Sequence, residues 1–429
     1  MLCPGDARLV AREPALSALA TLLDPEALAA IVTRRSGVSV THATPTYLRY
    51  KPATSCLVAY ELQIAGRASP LAVYARTHAG DAASVKIDNA VRQPAWSGPL
   101  GPGIFAVDDP PLTLFTFPND HELDVLPRLH DPAELSRLLG KASKDLRGRD
   151  FGPLEQLRYK PERRFAGRAT AADGESFFIK AYAPANAGPA IAGARAFEPR
   201  GSLQLARFLG GYARRGVAAW EWLRGRPIDL HTRSEGLSHS CARVGEALAM
   251  LHHQPALVPD AYAPTRLAEI LAESIAAIHA IAPNAISRLH RLASRLEDWV
   301  APAQLSPLHG DFSPGQVLLS EAAVAILDFD RAGRGPADLD LGNFIANVEL
   351  LALLGEAPPT APGACADSLV QGYFGAGAPT QAGIHVRTRP ATAFALMRLA
   401  PEPFRTRRAD WPELLEAILT RAEVLLDPA

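Results

Sequence analysis

The amino-acid sequence predicts an α+β fold: a small antiparallel sheet, a second sheet of similar make-up, and then a helical lobe. Three observations predict it. Short apolar runs of strand length, YLRYK (47–51), CLVAYELQI (56–64), LAVYAR (71–76), IFAV (104–107) and LTLFTF (112–117), are separated by Gly, Pro and Asp. The pentapeptide Leu48-Arg49-Tyr50-Lys51-Pro52 recurs as Leu157-Arg158-Tyr159-Lys160-Pro161. After Leu230, EGLSHSCARVGEALAMLHH, TRLAEILAESIAAIHAI and NAISRLHRLASRLEDWV carry apolar residues at three- and four-residue spacing, as packed helices do.

In chain order, Asp24 and Pro25 open a helix with a capping carboxylate and a proline at the first helical position. The first sheet follows from about Tyr47. Both repeat copies continue alike: a strand, a turn at Gly66 or Gly174, a second strand, a helix-compatible stretch and a last strand. Matching LAVYA to FFIKA sets Tyr74 opposite Lys180. PAELSRLLGKASKDL reads as an exposed helix linking the copies. The expected bounds are 1–130 for the helical piece and first sheet, 131–152 for the linker, 153–230 for the second sheet and 231–429 for the helical lobe.

At 429 residues and 48% hydrophobic content, the chain can bury more than one core. Lys plus Arg (44) nearly equals Asp plus Glu (45), which leaves no broad basic surface for nucleic acid or an anionic membrane. Cys3, Cys56, Cys241 and Cys365 are scattered, so neither a zinc site nor a disulfide framework is expected, and a reducing cytoplasm fits. Asp6 and Arg8 interrupt the start where a signal peptide needs apolar residues, and no membrane span is expected.

The helices are broken once, by PLHGDFSPGQVLLSEAAVAILDFDRAGRGPADLDLGNF. Its short runs VLLS and VAILDF form a hairpin that gathers Asp311, Gln316 and Asp328 at one end, with Asp330 just beyond and Asp340 opening the next helix. Carboxylates and an amide oxygen on short loops are hard ligands suited to Mg²⁺. Phosphoryl transfer needs this set: a carboxylate for the attacking hydroxyl, metal ligands and a lysine for the phosphates. Helix capping and turn formation are the other common uses of such aspartates, and Asp340 fits them equally.

The runs HGDFSPGQVL, ILDFDRAGRG and LDLGNF resemble the catalytic and metal-binding loops of aminoglycoside phosphotransferases and choline-kinase-like enzymes. The resemblance spans about residues 153–375 and implies a protein-kinase-like two-lobe fold; the internal repeat places before it a degenerate copy of the sheet lobe, kept either as a cap that shields the acceptor site or closes over the cleft, or equally as a purely structural cap. The resemblance implies ATP and Mg²⁺ as cofactors, Asp311 as catalytic base, Gln316 and Asp328 as metal ligands, and His309, Asp330 and Asp340 in supporting places. Gln316 departs from the commoner Asn, and maltokinase-like and glucosamine-kinase-like members are similar in carrying Gln and an additional N-terminal region.

Lys180 ends the strand Ser176-Phe177-Phe178-Ile179-Lys180 and resembles the strand lysine that grips nucleotide phosphates in kinases. Glu198 is the only acidic residue between Lys180 and Glu221, which makes it the candidate partner; beside Pro199 it equally suits a helix end. The segment 217–223, with Glu221 and Trp222, resembles the hinge whose backbone holds adenine. Trp220 and Trp222 also suit a core. The turn YKPERRFAGR lacks a glycine-rich pattern, so phosphate cover falls to backbone N–H groups or to Arg163 and Arg164, which equally suit solvent.

Acceptor residues would come from helices after Asp340. Arg387, Arg389, Arg398, Arg405, Arg407 and Arg408 cluster there, either as a solvated face or as an anion site, and disfavour a polycationic aminoglycoside. The expected activity is phosphorylation of a hydroxyl on a sugar or amino sugar. The alternative is a nucleotide-binding pseudokinase or scaffold. No nucleic-acid or membrane partner is expected.

Overall fold

The structure, a computed structural model, describes residues 2–80, 82–300, 304–375 and 384–427. By contact it divides into two units. One is Met1–Ala187 with Leu209–Ala219 and Glu402–Pro412; the other is Gly188–Phe208, Trp220–Pro401 and Glu413–Ala429.

The first unit holds two five-stranded sheets. β1 (Val40–Lys51), β2 (Ser55–Ile64), β3 (Leu71–His78), β4 (Ile104–Val107) and β5 (Leu112–Thr116) are arranged β1-β2-β3-β5-β4. Then come β6 (Glu155–Lys160), β7 (Arg164–Thr170), β8 (Ser176–Tyr182), the short β9 (Leu203–Leu205), β10 (Phe208–Tyr212) and β11 (Val217–Glu221). Without β9 these form the order β6-β7-β8-β11-β10, the same sequence of neighbours as in the first sheet. In each, the third and fourth strands are joined through a helix, Ala82–Val91 or Pro184–Gly193.

The copies agree in detail. The hairpin between β1 and β2 closes with Lys51 opposite Ser55, and that between β6 and β7 with Lys160 opposite Arg164. Each turn carries a non-glycine residue in the left-handed region, Ala53 at φ 49° and Glu162 at φ 58°. That conformation crowds a Cβ and needs support from its surroundings. In both, one upstream carboxylate supplies it. Glu13 accepts from the Tyr50 hydroxyl (2.6 Å) and the Ala53 N–H (2.8 Å), and Asp120 accepts from the Tyr159 hydroxyl (2.6 Å) and the Glu162 N–H (2.8 Å). Burial, with the carboxylate alongside, pushes both phenols above their ordinary pKa.

The likeness extends further upstream than the pentapeptide. Asp24 caps the helix Pro25–Ser36, its carboxylate accepting the Glu26 and Ala27 N–H groups, and Asp131 caps Pro132–Ala142, its carboxylate accepting the Glu134 N–H. Glu13, Asp24 and Pro25 stand at one offset from Asp120, Asp131 and Pro132. The segment expected as an exposed linker is therefore the opening helix of the second copy. It buries Leu135, Leu138 and Leu139 in a core shared with Phe165, Phe177 and Ile179 of the second sheet. Apolar spacing gave the helix but not what its buried stripe would cover.

Strand register also corrects the match at Lys180. With Ser55 aligned to Arg164, Arg76 pairs opposite Leu57 as Lys180 pairs opposite Ala166. The first-copy counterpart of Lys180 is therefore Arg76, and Tyr74 corresponds to Phe178. The slip arose because β2 is longer than β7, which shifts a match made by strand sequence alone.

In the second unit, β12 (Arg226–Pro227), β14 (Val317–Leu319), β15 (Val324–Ile326) and β9 make a four-stranded sheet. A second pair joins β13 (Leu305–Leu308) to β16 (Gly333–Pro336). Long helices surround a core containing Leu248, Phe312, Ile326, Phe344 and Tyr373. The helices Ser234–His252 and Ala361–Gly375 lie unusually close, because a Cβ on Gly245 or Gly372 would meet the opposing backbone. That approach brings Cys241 and Cys365 together as a disulfide, where the scattered cysteines suggested no disulfide framework. Scattered cysteines carry no pairing signal unless the helix contact is known. No described helix is long and apolar enough to cross a membrane.

Candidate active site

β13 and β16 form an antiparallel frame, Leu308 opposite Gly333, and the chain between them carries the loops of interest. At its start, the buried Asp340 carboxylate, in the first turn of the helix Asp338–Leu353, takes the N–H of His309 (2.7 Å) and of Gly310 (2.9 Å). The His252 Nε2 lies 3.1 Å from the same carboxylate, and the other His252 nitrogen is 2.9 Å from the Tyr373 hydroxyl. Burial alone would raise the Asp340 pKa. The His252 hydrogen bond and the Gly310 N–H outweigh it and hold the carboxyl below its usual value.

His309 is fully buried. Its Nε2 is 2.8 Å from the Leu327 carbonyl, which can only accept, and its Nδ1 accepts the Asp311 N–H at 3.3 Å. These contacts select the neutral tautomer protonated on Nε2. Gly310 adopts φ 83°, and a side chain there would collide with Tyr262, whose hydroxyl donates to the carbonyls of Gly310 and Arg331. Burial pushes the Tyr262 phenol up to about 12. The loop backbone is thus held from several sides, while the Asp311 side chain stays 43% exposed with Arg331 at 3.9 Å.

The hairpin β14–β15 pairs Val317 with Ile326, so Gln316 and Asp328 lie at its same end, and the Leu327 N–H donates to the Gln316 carbonyl (2.9 Å). Asp328 sits at φ 71°, a strained conformation for a non-glycine residue of the kind that persists at ligand sites. Gln316 Oε1 is buried and has no hydrogen-bond partner among the described residues. A buried amide oxygen without a donor is costly, and a cation would satisfy it. Among the described residues no three His, Cys, Asp or Glu side chains gather as a metal site. Two side-chain oxygens from Gln316 and Asp328 nevertheless fit Mg²⁺, which keeps waters and takes the rest of its shell from phosphates. Asp330 is half-buried two residues on.

Glu198 does not end a helix, because the preceding one stops at Gly193; its backbone is bound by the Gln254 side chain through contacts of 2.8 and 2.9 Å. Glu221 has its N–H on the Arg207 carbonyl (3.0 Å), and its carboxylate accepts the Arg207 N–H (2.9 Å). Trp222 follows, half-buried, and Trp220 packs edge-on to Phe208. Lys180 belongs to the first unit. It is buried on the strand face opposite Phe177, Ile179 and Ala181, with its ammonium 5.9 Å from the Phe178 ring centre and 5.7 Å from that of Tyr182.

Most of the clustered arginines have structural partners. Arg387 meets Asp338, Arg405 meets Glu402, Arg407 meets Asp6 and Arg408 meets Asp410, while Arg389 donates to the last carbonyls of the helix Trp411–Leu426. Arg398 differs. Among the described residues it donates to the neutral Asn343 Oδ1 (3.0 Å), one helical turn from Asp340, and burial lowers its pKa while Asp311 opposes that shift. Tyr262, His252 and Asn343 gave no sequence signal; Arg398 was visible only as one of a basic group.

Residues 163–382, just over half of the chain, match the family described as the phosphotransferase enzyme family, and the chain belongs to it. Similar solved structures include a choline/ethanolamine kinase family protein from Mesorhizobium loti. It is 19% identical, covers 69% of this chain and 95% of its own, and has a TM-score of 0.49. A macrolide 2'-phosphotransferase, MphH, from Brachybacterium faecium is 18% identical, with 67% and 97% covered and a TM-score of 0.43. A choline kinase from Cryptosporidium parvum is 10% identical, with 69% and 95% covered and a TM-score of 0.47. No curated protein sequence matches the chain.

Proposed function

We propose that the chain transfers the γ-phosphoryl group of ATP to a hydroxyl of a sugar-like small molecule, with Mg²⁺. The observation that carries this reading is the pairing of an exposed Asp311, on a loop anchored by the buried Asp340, with an unsatisfied Gln316 oxygen at the hairpin end shared with Asp328. Asp311 orients the acceptor hydroxyl and takes its proton as the new oxygen–phosphorus bond forms and the bond to ADP breaks. Lys180 holds the nucleotide phosphates. Mg²⁺, held by Gln316 and Asp328, would neutralise phosphate charge. His309 and Asp340 fix the loop that carries Asp311.

The acceptor reading rests on charge. Arg331 and Arg398 both act on Asp311, which favours hydroxyl-rich or anionic acceptors and disfavours polyamines. Arg398→Gln is expected to raise the acceptor KM about tenfold while changing the ATP KM little, as steady-state kinetics with each substrate varied will show.

The deciding experiment measures ADP release from ATP and Mg²⁺ over sugars, amino sugars, aminoglycosides and choline-like alcohols. Acceptor-dependent release is expected, and chelation of Mg²⁺ with EDTA is expected to abolish it. A chain that binds no ATP by calorimetry would sink the proposal. ATP binding without turnover on any acceptor would move the reading to a pseudokinase.

A further inference from the structure

Under the kinase reading, the turn between β6 and β7 takes the place of the glycine-rich loop that covers the nucleotide phosphates in kinases. Here it reads Pro161-Glu162-Arg163 and contains no glycine. Glu162 adopts φ 58°, a conformation its Cβ resists, and its side chain is only 2% exposed. Something other than the turn's own sequence has to hold that shape.

The contacts that do so come largely from the first copy. Arg49 of β1 and Arg76 of β3 flank Leu57 in one row of the first sheet, both opposite it in register. The two guanidiniums converge on the Glu162 carboxylate, Arg76 at 2.7 Å and Arg49 on the other oxygen. Lys160, at the base of the turn, sets its ammonium 5.5 Å from the ring centre of Tyr47 in β1. Asp120 adds the clamp on the Tyr159 hydroxyl and the Glu162 N–H.

Comparing the copies isolates what is special here. The carboxylate clamp on the turn is common to both, Glu13 in one and Asp120 in the other. The first copy, however, has Ala53 where the second has Glu162, so only the second turn reaches out with a charge. That charge lands on Arg76, the register counterpart of Lys180. The cation that in the second copy would face phosphate is, in the first copy, occupied by a carboxylate of the second.

We propose that the first copy is the scaffold of the nucleotide-covering turn, with Glu162 as a positioning residue that replaces a mobile glycine loop by a fixed one. The Glu162 N–H is taken by Asp120 and the Arg163 N–H by the Lys160 carbonyl, so backbone cover of phosphate from these two groups is closed off. The Arg163 side chain is exposed and remains the turn's reach toward a phosphate. This role rests on the kinase reading above, since it concerns the same nucleotide.

The test uses the full-length protein and two readouts. Hydrogen exchange on the unliganded wild type is expected to protect the 162 and 163 amides as strongly as the β7–β8 ladder; exchange at the rate of an open loop would overturn the scaffold without any variant. In kinetics, Glu162→Gln and Arg76→Met are each expected to raise the ATP KM about five- to tenfold, with kcat and the acceptor KM nearly unchanged. The double variant is expected to be no worse than either single one, and Arg76→Lys to recover much of the loss. An unchanged ATP KM in Glu162→Gln, with an active wild type, overturns the scaffold alone. A wild type that binds no ATP overturns the kinase reading and this role together.

Discussion

Replacement of Asp311 by asparagine is expected to lower turnover by about 10²–10⁴-fold, the range that a positioned general base contributes. The protein is expected to remain folded, because the Asp311 side chain is 43% exposed and its charged neighbour, Arg331, stands at 3.9 Å, where a pair in solvent stabilises little. Asparagine keeps the shape and removes the ability to take a proton. ATP affinity is therefore expected to change within a fewfold. ADP release and calorimetric ATP titration on the same preparation check both statements. A variant that retains wild-type turnover would remove Asp311 from the chemistry.

Asp340→Ala is expected to be the most damaging single change to the helical unit. Asp340 is fully buried and satisfies three donors, the His309 and Gly310 N–H groups and the His252 imidazole. Removing a buried carboxylate from such partners costs about 3–5 kcal/mol, and it also frees the backbone that aims Asp311. The urea midpoint and turnover are expected to fall together. The pH dependence has a definite sign. Folding lowers this carboxyl's pKa, so its contribution is present above the unfolded value of about 3.9 and is lost as pH falls through the folded value. Urea unfolding of wild type and Asp340→Asn between about pH 3 and pH 6 is expected to converge at the acid end. Parallel curves would assign the stability elsewhere.

Local pattern carried much of the fold. Alternation and turn residues located β1 to β5, and Asp24 with Pro25 marked a helix start, because both signals are properties of adjacent residues. The hairpin end shared by Gln316 and Asp328 was legible for the same reason: two short strands and a short connection leave one register open. Quantities that depend on distant partners were not legible. Nothing in the sequence singled out Arg76, and only strand register gives it Lys180's place in the other sheet. Cys241 and Cys365 gave no hint of pairing, since it depends on Gly245 and Gly372 admitting a close helix contact. Arg398 could be separated from its basic neighbours only once each of them had found a carboxylate or a helix end.

The clamp on Tyr159 and Glu162 also decides where the chain can be cut. The match to the phosphotransferase family begins at residue 163. A protein trimmed to that point would lose Asp120, the helix Pro132–Ala142 whose leucines lie under the second sheet, and the strand β6 itself. A piece that keeps the second sheet's own contacts therefore starts upstream of Asp120. A boundary drawn from family likeness cuts through these contacts, whereas one placed just before Asp120 keeps the Asp120 clamp and the apolar cover of the sheet and gives up the grip of Arg49 and Arg76 on Glu162.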